Sequence, residues 1–156
     1  MSAASCTLSE APTAHLILPF SSTLDRRADR ATPVGPRNPD STILQHVGGQ
    51  TWVVAELVAP IAGNYIISML RQARAAVRLR ISQVGDGLIA GGVFIWQGYG
   101  GHVLRVENGN NHQQTMGVIG AALETILDFL NTQTEHGVGF FTVYDGANEV
   151  GVGVIL

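Results

Sequence analysis

The chain has 156 residues, of which 46% are hydrophobic and only 13% charged, with 9 basic and 12 acidic side chains for a formal charge of -3. That balance excludes wholesale disorder and leaves no broad cationic surface for nucleic acid or anionic lipid. No apolar run approaches the ~20 residues a membrane-spanning helix needs, because Arg, Gly or polar residues interrupt each one.

All nine basic residues are arginine and none is lysine. A GC-rich coding bias gives this result, and so does a chain that avoids amine chemistry, as a secreted or host-directed protein would. Cys6 is the only cysteine, so no internal disulfide is available and packing alone must hold the fold. Met1 to Glu10 lacks a basic start, and Leu16 to Phe20 is too short for a signal core. Export then implies a removed signal or another route; a cytoplasmic location is the alternative.

Five of the six prolines (Pro12, Pro19, Pro33, Pro36, Pro39) precede residue 41, together with Arg26-Arg27. Residues 1–40 therefore read as an extended, weakly structured arm, and residues 41–156 as a single domain. The apolar run Leu16, Ile17, Leu18 and Phe20 suits docking on a neighbouring subunit, and the dibasic pair suits a propeptide boundary.

From residue 41 the periodicity becomes informative. Thr42 to Val47 predicts a strand ended by Gly48-Gly49, and the valine-rich run Trp52 to Val58 predicts another. Pro60 suits a helix start, after which Ile61, Tyr65, Ile66, Met69, Leu70 and Ala73 recur at helical spacing up to Ala75 or Ala76. Val77, Leu79 and Ile81 then alternate with Arg78, Arg80 and Ser82, which predicts a strand with one charged face.

Gly85-Asp86-Gly87 is turn chemistry, and Leu88 to Trp96 reads as a strand bulged at Gly91-Gly92. Gly98, Gly100 and Gly101 reverse the chain into an alternating strand, His102 to Glu107, whose Arg105 and Glu107 are expected to share a wet face with Arg78 and Arg80. Asn111 and Gln114 resemble a capping box ahead of a helix carrying Met116, Ile119, Leu123, Ile126, Leu127 and Leu130. Gly117 and Gly120 within it suggest close approach to another backbone. Phe140 to Tyr144 and Glu149 to Ile155 close the chain as a hairpin around Asp145-Gly146.

The fold class that follows is α+β: a mainly antiparallel sheet with two helices packed on one face, a split βαβ-like two-layer sandwich. The order from residue 41, strand, helix, strands, helix, hairpin, and most of all the segment Gln114 to Leu156 with its glycine-flanked helix and Asp145-Gly146 hairpin, is similar to the split βαβ sandwich of fungal killer toxins and related small secreted effector-like proteins, although the chain lacks their cysteines. The resemblance implies a secreted protein that acts by binding another organism's component, and it carries over no functional residue.

Catalytic and metal signatures are sparse. The five histidines (His15, His46, His102, His112, His136) have no metal-ligand spacing, so neither metal nor cofactor is expected. No serine sits in a Gly-x-Ser-x-Gly elbow. Asp86, Glu107, Asp145 and Glu149 lie near strand ends, where two could converge as in a glycan hydrolase, against the plainer reading of solvated turn acids. The amide-rich run through Asn110, Asn111 and His112 suits hydrogen bonding to a glycan or peptide, with Trp96 or Tyr99 as a stacking face; a helix-capping loop explains the same residues with nothing bound.

Val150-Gly151-Val152-Gly153-Val154 bears little polarity on either face, so a lone subunit is expected to leave that strand or its edge exposed. The expectation is a non-enzymatic, effector-like binding protein acting as a homo-oligomer, most simply a two-fold homodimer. The alternatives are a small carboxylate hydrolase and a membrane-active toxin-like assembly.

Overall fold

The computed structural model describes residues 41–47, 49–58, 65–132 and 137–156. The expectations for the arm at residues 1–40, and for a helix start at Pro60, lie outside these. Among the described residues there are six strands: β1 (Ser41–Gln45), β2 (Thr51–Val58), β3 (Val93–Gln97), β4 (Val103–Asn108), β5 (Gly137–Asp145) and β6 (Asn148–Ile155). Helix α1 (Tyr65–Val84) lies between β2 and β3, and helix α2 (Met116–Thr132) between β4 and β5.

The strands form one sheet in the order β1-β2-β5-β6-β4-β3, with every neighbouring pair antiparallel. It follows that β4 and β5 run parallel with β6 between them, and that β2 and β3 run parallel with three strands between. Both helices are thus crossovers of split βαβ units, and the fold is the α+β sandwich expected from the sequence.

One face of the sheet is buried. Val53 and Ala55 of β2, Phe141 and Val143 of β5, and Leu104 and Val106 of β4 pack against Ile66, Met69, Leu70, Ala73 and Val77 of α1 and Ile119, Leu123, Ile126 and Leu127 of α2. In β6 the same face carries glycine. The Phe141 ring covers Gly153, and the Gln114 side chain covers Gly151, so a Cβ at either position would overlap its cover. The Val-Gly alternation is therefore a packing device: the space a side chain would occupy is filled from elsewhere.

Several local expectations are corrected. Val77 to Ser82 is not a strand but the continuation of α1, which runs to Val84. The helical stripe Ile66, Met69, Leu70, Ala73, Val77 prevails over the short alternation because its burial against the sheet outweighs local β propensity. Arg78 accordingly lies nowhere near a wet strand face. It donates to both carboxylate oxygens of Glu124 on α2 at 3.1 Å, and Arg74 donates to Glu124 Oε1 at 3.0 Å. Arg105 instead pairs within its own strand with Glu107 at 2.8 Å.

The long strand expected from Leu88 shortens to β3, preceded by a 3-10 turn at Ala90–Gly92 in which Gly91 adopts φ 67°. Strand β6 is central, hydrogen-bonded on both sides, and among the described residues the sheet edges are β1 and β3. Gly117 and Gly120 approach side chains, not backbone: Gly117 faces the Asp86 carboxylate and Gly120 faces Val77.

Candidate functional site

The structure does not bring the five sequence-predicted binding residues together. Asn110 and Asn111 sit in left-handed conformations, φ 49° and 60°, in the exposed connection from β4 to α2, with His112 beside them. Asparagine tolerates that region better than other non-glycine residues, which accounts for the amides without a ligand. Tyr99 lies beyond the opposite end of β4, where its ring neighbours Tyr65 at 6.2 Å between centroids, and Tyr65 in turn neighbours His102 at 6.5 Å. Trp96 faces the helices and packs against the core; its indole N–H is buried without a partner among the described residues.

The expected Asn111–Gln114 capping box is replaced by a different cap. Thr115 precedes α2, and its Oγ1 accepts the Val118 N–H at 3.3 Å. Asp86, from the connection after α1, accepts the Gly117 N–H at 2.8 Å and the Thr115 hydroxyl at 3.0 Å. Gly87 O accepts the Met116 N–H at 3.0 Å. The first three donors of α2 are thereby satisfied by protein groups. Gln114 is instead buried, at 1% exposure, donating to Glu107 O at 2.8 Å while its backbone N–H donates to Asn108 Oδ1 at 3.0 Å.

Of the four carboxylates considered for acid-base chemistry, three have neighbours in the fold, and Asp145 stands at the end of β5 by the hairpin turn. Asp86 caps α2, Glu107 accepts from Arg105, and Glu149 stands beside the Tyr144 phenol. Burial first, and then the neighbouring Glu149 carboxylate through its charge and hydrogen bonding, pushes the Tyr144 phenol above its ordinary value. Among the described residues no three His, Cys, Asp or Glu side chains group closely enough to hold a metal ion, and no helix is long and apolar enough to cross a membrane.

The face of the sheet opposite the helices is the extended surface that sequence reasoning did not assemble. Strand register defines its rows. One runs Ser41, Glu56, Phe140, Val154, Arg105, Ile95 across β1-β2-β5-β6-β4-β3; the next runs Ile43, Val54, Thr142, Val152, Glu107, Val93. Ile43, Ile95, Phe140 and Val152 are exposed, and Val54, Val93 and Val154 are half-buried. At one end Trp52 and Tyr144 stack with centroids 3.9 Å apart and planes at 8°, and the Trp52 indole donates to Gly146 O at 2.8 Å.

The signal for this face was present in the alternation of β2 and β5, where the outward set (Trp52, Val54, Glu56; Phe140, Thr142, Tyr144) is mostly apolar or aromatic although the other set already fills the core. A half-solvated antiparallel sheet ordinarily alternates apolar with polar. Strands β3, β5 and β6 depart from this rule, with Ile95, Val93, Phe140, Val152 and Val154 on the open face, and Ile43 and Val54 extend the apolar area; β4 keeps the rule with Arg105 and Glu107. Compared with known proteins, the chain matches no family model, no curated protein and no solved structure.

Proposed function

We propose that this protein is a non-enzymatic binding protein whose working surface is the open face of its sheet, laid against another protein surface. The observation that carries this reading is the pair of register rows in which Ile43, Val54, Phe140, Val152 and Val154, with Ile95 beyond Arg105, lie on the face opposite α1 and α2. The driving force is apolar burial, worth roughly 25 cal/mol per Å2 removed from water before the costs of association. The charged residues of the face, Glu56, Arg105 and Glu107, add selectivity of orientation.

This reading is favoured over a carboxylate hydrolase because Asp86 and Glu107, two of the four candidate carboxylates, are already engaged in hydrogen bonds within the fold. The lysine-free, effector-like composition fits a protein that acts outside the cell that makes it.

Hydroxyl-radical footprinting of the full chain tests the reading, because it contains an internal control. Phe140 on the open face and Leu79 on α1 have nearly equal exposure in the single chain, 56% and 58%. With the face covered in the working protein, Phe140 is modified far more slowly than Leu79. Modification of Phe140 at least as fast as Leu79, each rate normalised to the intrinsic reactivity of its side chain, would overturn the reading.

A further inference from the structure

We infer that the partner on the open face is a second copy of this chain, related by a two-fold axis that runs along the strands between β5 and β6. This rests on the open-face reading above and adds the identity and geometry of the occupant.

The inference comes from the symmetry of the row Ser41, Glu56, Phe140, Val154, Arg105, Ile95. Its midpoint falls between Phe140 on β5 and Val154 on β6. Glu56 on β2 and Arg105 on β4 stand at equal distances on either side of that midpoint, each about 7 Å away at the usual ~4.8 Å strand spacing. A two-fold axis along the strands maps β2 of one copy onto β4 of the other while leaving each row at its own height. Glu56 therefore faces the partner's Arg105, Arg105 faces the partner's Glu56, and Phe140 faces the partner's Val154.

Self-complementarity of this kind is what an isologous interface requires, since each contact occurs twice. Charges of the same sign at the two positions would have forbidden it. In the second row Ile43 meets Val93 and Thr142 meets Val152; Val54 meets Glu107, whose charge is already answered by Arg105 of its own chain at 2.8 Å.

Dimensions agree with this arrangement. Packed sheets lie ~10 Å apart, a gap that a glutamate and an arginine span together. Aligned packing at up to ~30° displaces the two by about 4 Å at their distance from the axis, within the reach of an exposed arginine side chain. Six strands by about five residues give a face of roughly 500 Å2 in projection, and side-chain relief raises the accessible area toward the ~800 Å2 per partner of a standard interface.

The test uses charge reversal in the full chain, with circular dichroism to verify folding and sedimentation velocity to read association. Glu56→Arg alone places arginine against arginine at both contacts, and Arg105→Glu alone places glutamate against glutamate. Each variant alone is expected to dimerise at least ~10-fold more weakly than wild type, the scale of one like-charge juxtaposition. An equimolar mixture of the two restores opposite charges at both contacts and is expected to form a heterodimer tighter than either variant's homodimer, though short of wild type because the Arg105→Glu subunit also loses its internal pair with Glu107.

Three outcomes overturn the inference while leaving the open-face reading distinguishable. A monomeric wild type whose Phe140 is nonetheless protected means that residues 1–40 or an unlike partner covers the face. A wild-type dimer unaffected by either reversal means that the copies meet elsewhere. Weakening by each variant without recovery in the mixture means that Glu56 and Arg105 do not face one another. Only a wild type with Phe140 freely modified removes the open-face reading as well.

Discussion

The carboxylate of Asp86 accepts the backbone N–H of Gly117 at 2.8 Å, joining the connection after α1 to the first turn of α2 across 31 positions of sequence. A cap supplied from so far away ties the two helices at one end, so that forming α2 depends on α1 and its connection being in place. Gly117 is glycine because a Cβ would strike that carboxylate.

Loss of this cap is expected to cost about 1 kcal/mol, the usual value for removing an N-terminal acceptor. Asp86→Ala should lower the unfolding free energy by that amount, moving the urea midpoint down at an unchanged denaturant slope, and Asp86→Asn, which keeps an acceptor oxygen, should cost less. An unchanged midpoint for Asp86→Ala would show that the cap contributes nothing.

A second prediction concerns the glycines of β6. Because Gln114 fills the space over Gly151, Gly151→Ala should destabilise by about 1–3 kcal/mol, as overpacking of a filled core does. Combining it with Gln114→Ala should remove the clash, so that the double variant is more stable than the sum of the two single losses predicts. Additive losses in equilibrium unfolding would contradict the contact.

The helix layer makes a weaker and salt-sensitive contribution. Arg74 and Arg78 both donate to Glu124, yet these side chains are partly exposed, so Glu124→Gln should cost less than about 1 kcal/mol at low salt and less again at high salt. Thermal unfolding at two ionic strengths checks both halves of the statement.

Tyr144 gives the stability a signature in alkali. Its phenol is raised above the ordinary tyrosine value, so the folded state holds the proton more tightly than the unfolded state does. The associated stability is fully present below about pH 10 and is lost as pH rises through the folded-state value. Tyr144→Phe should flatten that decline in denaturant titrations above pH 10; an identical slope in variant and wild type would count against the Glu149 contact and burial as its cause.

Much of the fold was legible from periodicity, and the failures have local causes. Helix α2 and the closing hairpin follow from Met116 to Leu130 and from Asp145-Gly146, where spacing and turn chemistry agree. The last two turns of α1 misread as a strand because residues 78–84 carry little burial: Leu79 and Val84 are exposed, so no three-to-four spacing is imposed there and Val-Arg-Leu-Arg-Ile alternates freely. Gln114 was read as a surface capping residue because spacing alone does not reveal that a glycine two strands away leaves room for its amide.

The open face was half legible. Val54, Phe140, Val152 and Val154 stand at alternate positions of their strands, but their union into rows depends on the strand order β1-β2-β5-β6-β4-β3, which interleaves distant segments. The polar loop at Asn110, Asn111 and His112 drew attention first because amides resemble a ligand site, whereas two of them adopt the left-handed backbone that asparagine accommodates.

The most direct test of the covered open face is sedimentation equilibrium of the unmodified full chain at micromolar concentration. A mass of two chains, falling toward one on dilution while Phe140 becomes accessible to radical modification over the same range, is the expected result. A mass of one chain at every concentration, with Phe140 modified as fast as Leu79 throughout, would contradict it.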